Sequence, residues 1–217
     1  INKKGDVLNF KSLLKIKNNP LFIDFLNYKK NEKIETHIQF DGKQNLKKEI
    51  LIKKFSLKED KNNIKFQNLL LSKKFKVIKL DSVELDYIDN DKQRNLLNFY
   101  KKKDAYHLKG SYFNADKLID DLLFDEKDNS NFFNINSKII INIDKIQLDN
   151  KYYISNFGGD ITFNDKKVFK ANLIGNFSEN KKFKFTVNTK QDNKITTLFV
   201  DKAEPIVRRY QFIKGFE

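Results

Sequence analysis

The chain has 217 residues, a formal net charge of +14, and no cysteine, methionine or tryptophan. The missing cysteine excludes disulfides and thiolate metal sites. No stretch approaches the roughly 18 uninterrupted apolar residues of a membrane span, and no signal-peptide pattern is present.

The length allows one sizeable domain or two small ones, each able to bury a core. Apolar residues make up 39% and charged residues 33%, leaner and more charged than an ordinary globular domain. Phe (21 residues) and Ile carry most of the hydrophobic character, which favours strand. Nearly all positive charge is lysine, because arginine occurs only at Arg94, Arg208 and Arg209. Arginine is the preferred residue for bidentate phosphate contacts, so dispersed lysines read first as solvated strand faces. A basic nucleic-acid binder is an alternative. The sequence starts at Ile1 and ends at Glu217 in mid-pattern, as a fragment of a longer protein would.

Residues 1–90 read as a β-rich segment with a short N-terminal helix. Leu8, Phe10, Leu13, Leu14 and Ile16 fit neither period. Asn19-Pro20 is a helix start signal, with Leu21, Phe22, Phe25 and Leu26 as its apolar stripe. From Ile34 the period is two: Ile34, Thr36, Ile38 and Phe40 share a face, and Asp41-Gly42 signals a turn. Ile50/Ile52, Phe55/Leu57, Ile64/Phe66, Leu69/Leu71, Phe75/Val77 and Val83/Leu85/Tyr87 continue as short strands with turn residues between them. A polar break at Asp89–Arg94 closes this half.

Residues 91–217 read as a β-meander segment with short helices near 115–124 and 203–210. A mixed stretch, Leu96–Lys109, ends in a strand at Tyr106-His107-Leu108. Asn114 caps a helix whose apolar face is Leu118, Ile119, Leu122 and Leu123. Asp125–Asn131 is a loop. Ile139/Ile141/Ile143 and Ile146/Leu148 are strand-like, and the phase slip between them predicts a bulge or turn. Ile161/Phe163 pairs across a turn with Phe169/Ala171/Leu173. Phe183/Phe185/Val187 and Ile195/Thr197/Phe199 follow.

The sequence is poor in catalytic groups. His37 lies on a predicted outer strand face, and His107 lies beside Leu108, with no second histidine near either. An acidic cluster, Asp120, Asp121, Asp125 and Glu126, reads as the solvated end of a helix. Gly158-Gly159 lacks the spacing of a phosphate loop. Lys181-Lys182-Phe183-Lys184-Phe185 is the alternation of any half-buried strand. An enzyme, a metal site and a cofactor are therefore not expected. The predicted fold class is mainly β, a repeated antiparallel meander forming an elongated curved, groove-like sheet with few short helices. A closed β-sandwich serving as a binding or adhesion module is the alternative. Three short helices cannot cover so many strands, and an uncovered apolar face marks a binding surface.

Asp201-x-Ala203-x-x-Ile206-Val207-x-x-Tyr210-x-x-Ile213-x-Gly215 follows the meander directly. This ending resembles the closing segment of the AsmA-like superfamily, in particular envelope proteins of the YhdP and TamB type. Leu108-Lys109-Gly110 followed by Ala115-Asp116-Lys117-Leu118-Ile119 is similar to a second element of that group, a strand ending in Gly before a short helix. Glu204-Pro205 and Phe216 depart from the family pattern, which has small, Gly-containing residues at those places. The resemblance implies a periplasmic protein attached to the inner membrane through a segment outside this chain. It implies a long β-groove that takes phospholipid or other acyl lipid toward the outer membrane and helps maintain it. Ile161, Phe163, Phe169, Ala171, Leu173, Phe183, Phe185, Val187, Ile195 and Phe199 would line the groove.

Overall fold

The computed structural model describes residues 2–4, 7–45, 48–74, 77–118, 137–164, 167–177, 181–190, 193–204 and 206–207. The first half contains β1 (Asn2–Lys4), β2 (Val7–Ile16), β3 (Phe22–Ile23), β4 (Tyr28–Lys29), β5 (Thr36–Gln44), β6 (Ile50–Glu59), β7 (Asn62–Leu71), β8 (Val77–Lys79) and β9 (Ser82–Ile88). The second contains β10 (Arg94–Lys102), β11 (Ala105–Asn114), β12 (Lys138–Gln147), β13 (Tyr153–Asn164), β14 (Lys167–Phe177), β15 (Lys181–Lys190) and β16 (Asn193–Val200).

Fourteen of these strands form one open sheet in the order β1-β2-β5-β6-β7-β9-β10-β11-β12-β13-β14-β15-β16, with β8 paired on β7. Neighbours are antiparallel except β11 and β12, which run parallel. The sheet is neither closed into a barrel nor doubled into a sandwich. Its one apolar face nonetheless buries Ile64 to 0% exposure and Leu57 and Ile143 to 1%. A single twisted layer reaches such burial by curling over its own inner face. The result is the curved sheet that alternation predicts.

Several expected breaks are continuous strand. Ile50/Ile52 and Phe55/Leu57 belong to one strand, β6, in which Lys53 has no partner on β7. Ile64/Phe66 and Leu69/Leu71 are likewise both in β7, with Asn68 at φ 50 between them. A bulged residue shifts the apolar parity by one without ending the strand. Within β12 the slip falls at Asp144, which is unpaired on both sides while Ser111 on β11 and Asn156 on β13 are skipped at the same level, so the register to either neighbour is unshifted. Asp41-Gly42 is no turn but lies inside β5 at a register shift; the strand continues to Gln44, and the Asn45 N–H donates to the Glu49 carbonyl just before β6. A Cβ on Gly42 would lie 2.4 Å from the Leu51 carbonyl oxygen, which explains glycine there without a turn. The Asp89–Arg94 break is the β9–β10 hairpin turn, so the sheet runs straight through it. Leu96–Lys109 is also a hairpin, β10–β11.

The helix expected after Asn19-Pro20 is a single 3-10 turn, Asp24–Leu26, between the paired strands β3 and β4. It belongs to a strap, residues 17–35, folded across the end of the sheet. The two later helices start as expected: residues 116–118 are helical, and Ile206 and Val207 donate their backbone N–H groups to the Ala203 carbonyl. Residues 119–136 and 208–217, including Ile119, Leu122, Leu123, the acidic cluster and the Asp125–Asn131 loop, lie outside the described residues, as does Phe75.

Candidate functional site: the inner face of the sheet

Cross-strand partners project from the same side of a sheet, so the register defines what each face presents. On the inner face an apolar ladder crosses the strands. Phe40 opposes Phe55, Phe55 opposes Phe66, Phe66 opposes Val83, and Val83 opposes Phe99. Phe99 then opposes Leu108, Leu108 opposes Ile141, and Ile141 opposes Gly159. Gly159 opposes Leu173, Leu173 opposes Phe185, and Phe185 opposes Leu198. With strands ~4.8 Å apart, the ladder runs about 50 Å perpendicular to the strands. Phe55 and Phe66 stack at 4.9 Å between ring centroids. Gly159 is the one rung without a side chain. Its φ of +134, and the 1.9 Å that would separate an added Cβ from the Asn172 carbonyl oxygen, require glycine there.

A second ladder lies nearer the strap: Leu14, Ile38, Leu57, Ile64, Leu85 and Leu97 follow one another across β2, β5, β6, β7, β9 and β10. From Ile38 onward it is buried, because the strap seats Leu26 and Tyr28 against the same core. Polar bonds hold the strap down. The Tyr28 hydroxyl donates to Glu59 Oε2 (2.7 Å), and the Asn31 backbone N–H donates to Glu59 Oε1 (2.6 Å). The Tyr87 hydroxyl donates to the Leu26 carbonyl (2.8 Å). Burial and the Glu59 bond push the Tyr28 hydroxyl above its ordinary range, and burial does the same at Tyr87. Lys30, also buried, donates its Nζ to the carbonyls of Lys17 and Asn31.

At the other end of the same rim the chain after β16 folds back over β12–β14. Ile206 packs with Leu148, Ile154 and Phe177. Glu204 accepts from the Tyr152 hydroxyl and from Lys151 Nζ, and these partners, with Lys202, draw its carboxyl down to about 2. Between the two caps is a polar cavity of about 270 Å³ whose lining includes Asp91, Tyr112, Asn114, Lys145 and Asp149. Asn114 bonds Asp89 and Asp91, and Lys145 lies over the Tyr112 and Tyr153 rings. Burial, with Asp89 and Asp91 nearby, pushes the Tyr112 hydroxyl up to about 12.

The expected groove residues divide between the faces. Ile161, Ala171, Leu173, Phe183, Phe185 and Val187 are on the inner face, with Ala171, Leu173 and Val187 buried. Phe163 opposes Val168 and packs against the core. Phe169, expected opposite Phe163, falls in the register shift between Val168 and Lys170 and is 42% exposed. Ile195 and Phe199 are on the outer face, opposite Asn188 and Lys184. The β16 residues that face inward are Thr196, Leu198 and Val200, opposite Val187, Phe185 and Phe183. The signal that misleads is Leu198-Phe199-Val200, an apolar run that offers a side chain to both faces.

The histidines stay apart. His37 is exposed beside Glu35, and His107 stacks on Tyr100. Among the described residues no group of three or more His, Asp or Glu side chains is placed to hold a metal ion, and no helix is long and apolar enough to cross a membrane. No protein-family model matches the chain, and no curated protein or solved structure matches it either.

Proposed function

We propose that this protein is a non-enzymatic lipid-binding module that holds acyl chains along the inner face of its sheet. The observation that carries this reading is the uninterrupted apolar ladder from Phe40 to Leu198 across an open sheet. A ladder perpendicular to the strands presents the same apolar character at each step, so an acyl chain can move along it without crossing a polar barrier. Burial of lipid CH₂ supplies the driving term, ~0.8 kcal/mol for each group. The ladder is most open toward β16, where Leu198 is 38% exposed and Phe185 half-buried. An acyl chain would enter there, the strap having filled the deeper end.

In the setting that the resemblance to AsmA-like proteins implies, the lipid is a phospholipid and the module works in the periplasm. It would assist phospholipid transport or outer-membrane maintenance while attached to the inner membrane by a segment outside this chain. Organic extraction of purified protein followed by mass spectrometry tests the reading. Acyl lipid should co-purify and should fall sharply in Phe185→Asp and Leu198→Asp variants. Protein that is lipid-free after purification and takes up no lipid from vesicles overturns it.

A further inference from the structure

The strands β14, β15 and β16 contain lysines but not one carboxylate. On their outer face Ile174, Lys184 and Phe199 form one row, each opposite the next. Lys170, Asn188 and Ile195 form a second row, with only Asn172, Thr186 and Thr197 between the two. Lys182 and Lys190 flank the rows on β15. All four lysines are exposed, and none is ion-paired among the described residues. The apolar members are exposed as well: Ile174 and Phe199 to 52%, Ile195 to 66%. An open cavity of about 360 Å³ lies between Ile174, Lys182, Lys184 and Phe199.

This pattern differs from the outer face at the middle of the sheet. There Lys65 on β7 pairs with Glu84 on β9, and Arg94 on β10 with Asp86 on β9. Among the described residues, the carboxylates beside the β14–β16 patch are at its margins. Asp160 on β13 pairs with Lys138, and Asp201, just past β16, accepts the Lys182 backbone N–H. Exposed isoleucine and phenylalanine among unpaired lysines, on an edge strand with little charge of its own, is not a face built for water alone.

We infer that the outer face of β14–β16 docks on an anionic lipid bilayer, with Ile174, Ile195 and Phe199 entering the interface and the lysines meeting headgroup phosphates. Lysine near an anionic leaflet and apolar side chains at the headgroup boundary are complementary to such a surface. A second copy of the chain fits the patch poorly, because a two-fold contact would set lysines against lysines. A nucleic acid fits less well too: the patch has no arginine fork, and two of its three apolar residues are aliphatic and offer no ring for base stacking. The inference goes beyond the acyl-chain reading and uses the opposite face, so it holds or fails independently of the inner ladder.

The test is flotation of the purified chain with vesicles of phosphatidylcholine alone and of equal parts phosphatidylcholine and phosphatidylglycerol. Binding is expected only to the anionic vesicles. A Lys182→Gln/Lys184→Gln variant should weaken it about fivefold for each lysine. Ile195→Ser and Phe199→Ser should each weaken it about tenfold, since a largely exposed side chain loses apolar transfer energy without disturbing the core. A control, Lys54→Gln/Lys58→Gln, removes the same charge from the outer face of β6, where both lysines are exposed. Equal loss in the control, or unchanged binding in both serine variants, overturns the proposal. Circular dichroism verifies the fold of each variant, and lipid co-purified on the inner face, measured before vesicles are added, should be unchanged by Phe199→Ser.

Discussion

The inner face under the strap and the inner face of the edge strand β16 are written in the same alternating code, yet they end in different states. Leu57 and Ile64 are at 1% and 0% exposure, whereas Leu198 is at 38%. Strand pattern alone does not separate them. Residues 17–35 lay Leu26 and Tyr28 over the core at one end of the sheet, whereas at the other edge β16 is paired only with β15 among the described residues. An apolar strand face is a core where something covers it and a surface where nothing does.

Core truncations test that contrast most strongly. Leu57→Ala and Ile64→Ala should each cost about 2–5 kcal/mol, because the packed surroundings cannot collapse fully into the space left. Leu198→Ala should stay within ~0.5 kcal/mol, as exposed substitutions usually do. Urea denaturation of the three variants measures both, and equal losses would erase the distinction between the regions. Gly159→Ala should follow at about 1–3 kcal/mol or somewhat more, from the unfavourable φ and the overlap with the Asn172 carbonyl. It should also reduce lipid uptake by interrupting the ladder, which Leu57→Ala should not.

Next comes the strap's anchor. Glu59→Ala leaves the Tyr28 hydroxyl and the Asn31 N–H without their acceptor, a loss of about 1–3 kcal/mol. Hydrogen exchange should speed up in residues 20–31 in that variant, while β15 keeps its protection.

The smallest effects are pH-dependent and separate the two caps. The Glu204 carboxyl is drawn below its ordinary value, so its contribution is complete above about pH 4.5 and fades as the pH falls toward about 2. The Tyr28 hydroxyl is raised, so its contribution is complete below the ordinary tyrosine value near 10 and fades as the pH rises beyond it. Acid should therefore loosen the Glu204 contact first and alkali the strap first. Exchange rates at Ile206 and Leu26 compare the two directly, and Glu204→Gln should remove the acid response without altering the alkaline one.

Much of this fold was legible in the sequence. Alternation put Ile38, Leu57, Ile64, Leu85 and Phe185 on one face, and the phase slip in β12 falls at the unpaired Asp144. What was not legible depended on tertiary partners. Asn68 takes a left-handed φ inside a strand without ending it, and no local signal distinguishes that from a turn. Leu21, Phe22, Phe25 and Leu26 have helical spacing, yet Asn27 takes φ 50 and Tyr28 reaches across to Glu59, so the segment becomes a strap. Of the groove residues on β13–β15, most fall on the inner face. Ile195 and Phe199 share the opposite parity of β16 although Ile195 lies between Lys194 and Thr196, because Leu198 and Val200 offer an equally apolar alternative and only the pairing with β15 decides.

The single parallel pairing, β11 on β12, also sets an order of assembly. Apart from β2–β5, which bracket the strap, the other junctions join strands close in sequence, so those hairpins can form by zipping from their turns, with little chain entropy lost at each step. In the parallel β11–β12 pair the end of β11 and the start of β12 lie at opposite rims, so its first bond closes a longer loop than a hairpin does. The strands on either side should therefore fold as two fast cooperative units joined by one slow closure. Pulse-labelled exchange would then show Leu97 and Phe185 protected early in refolding and Ile141 only when the two units meet.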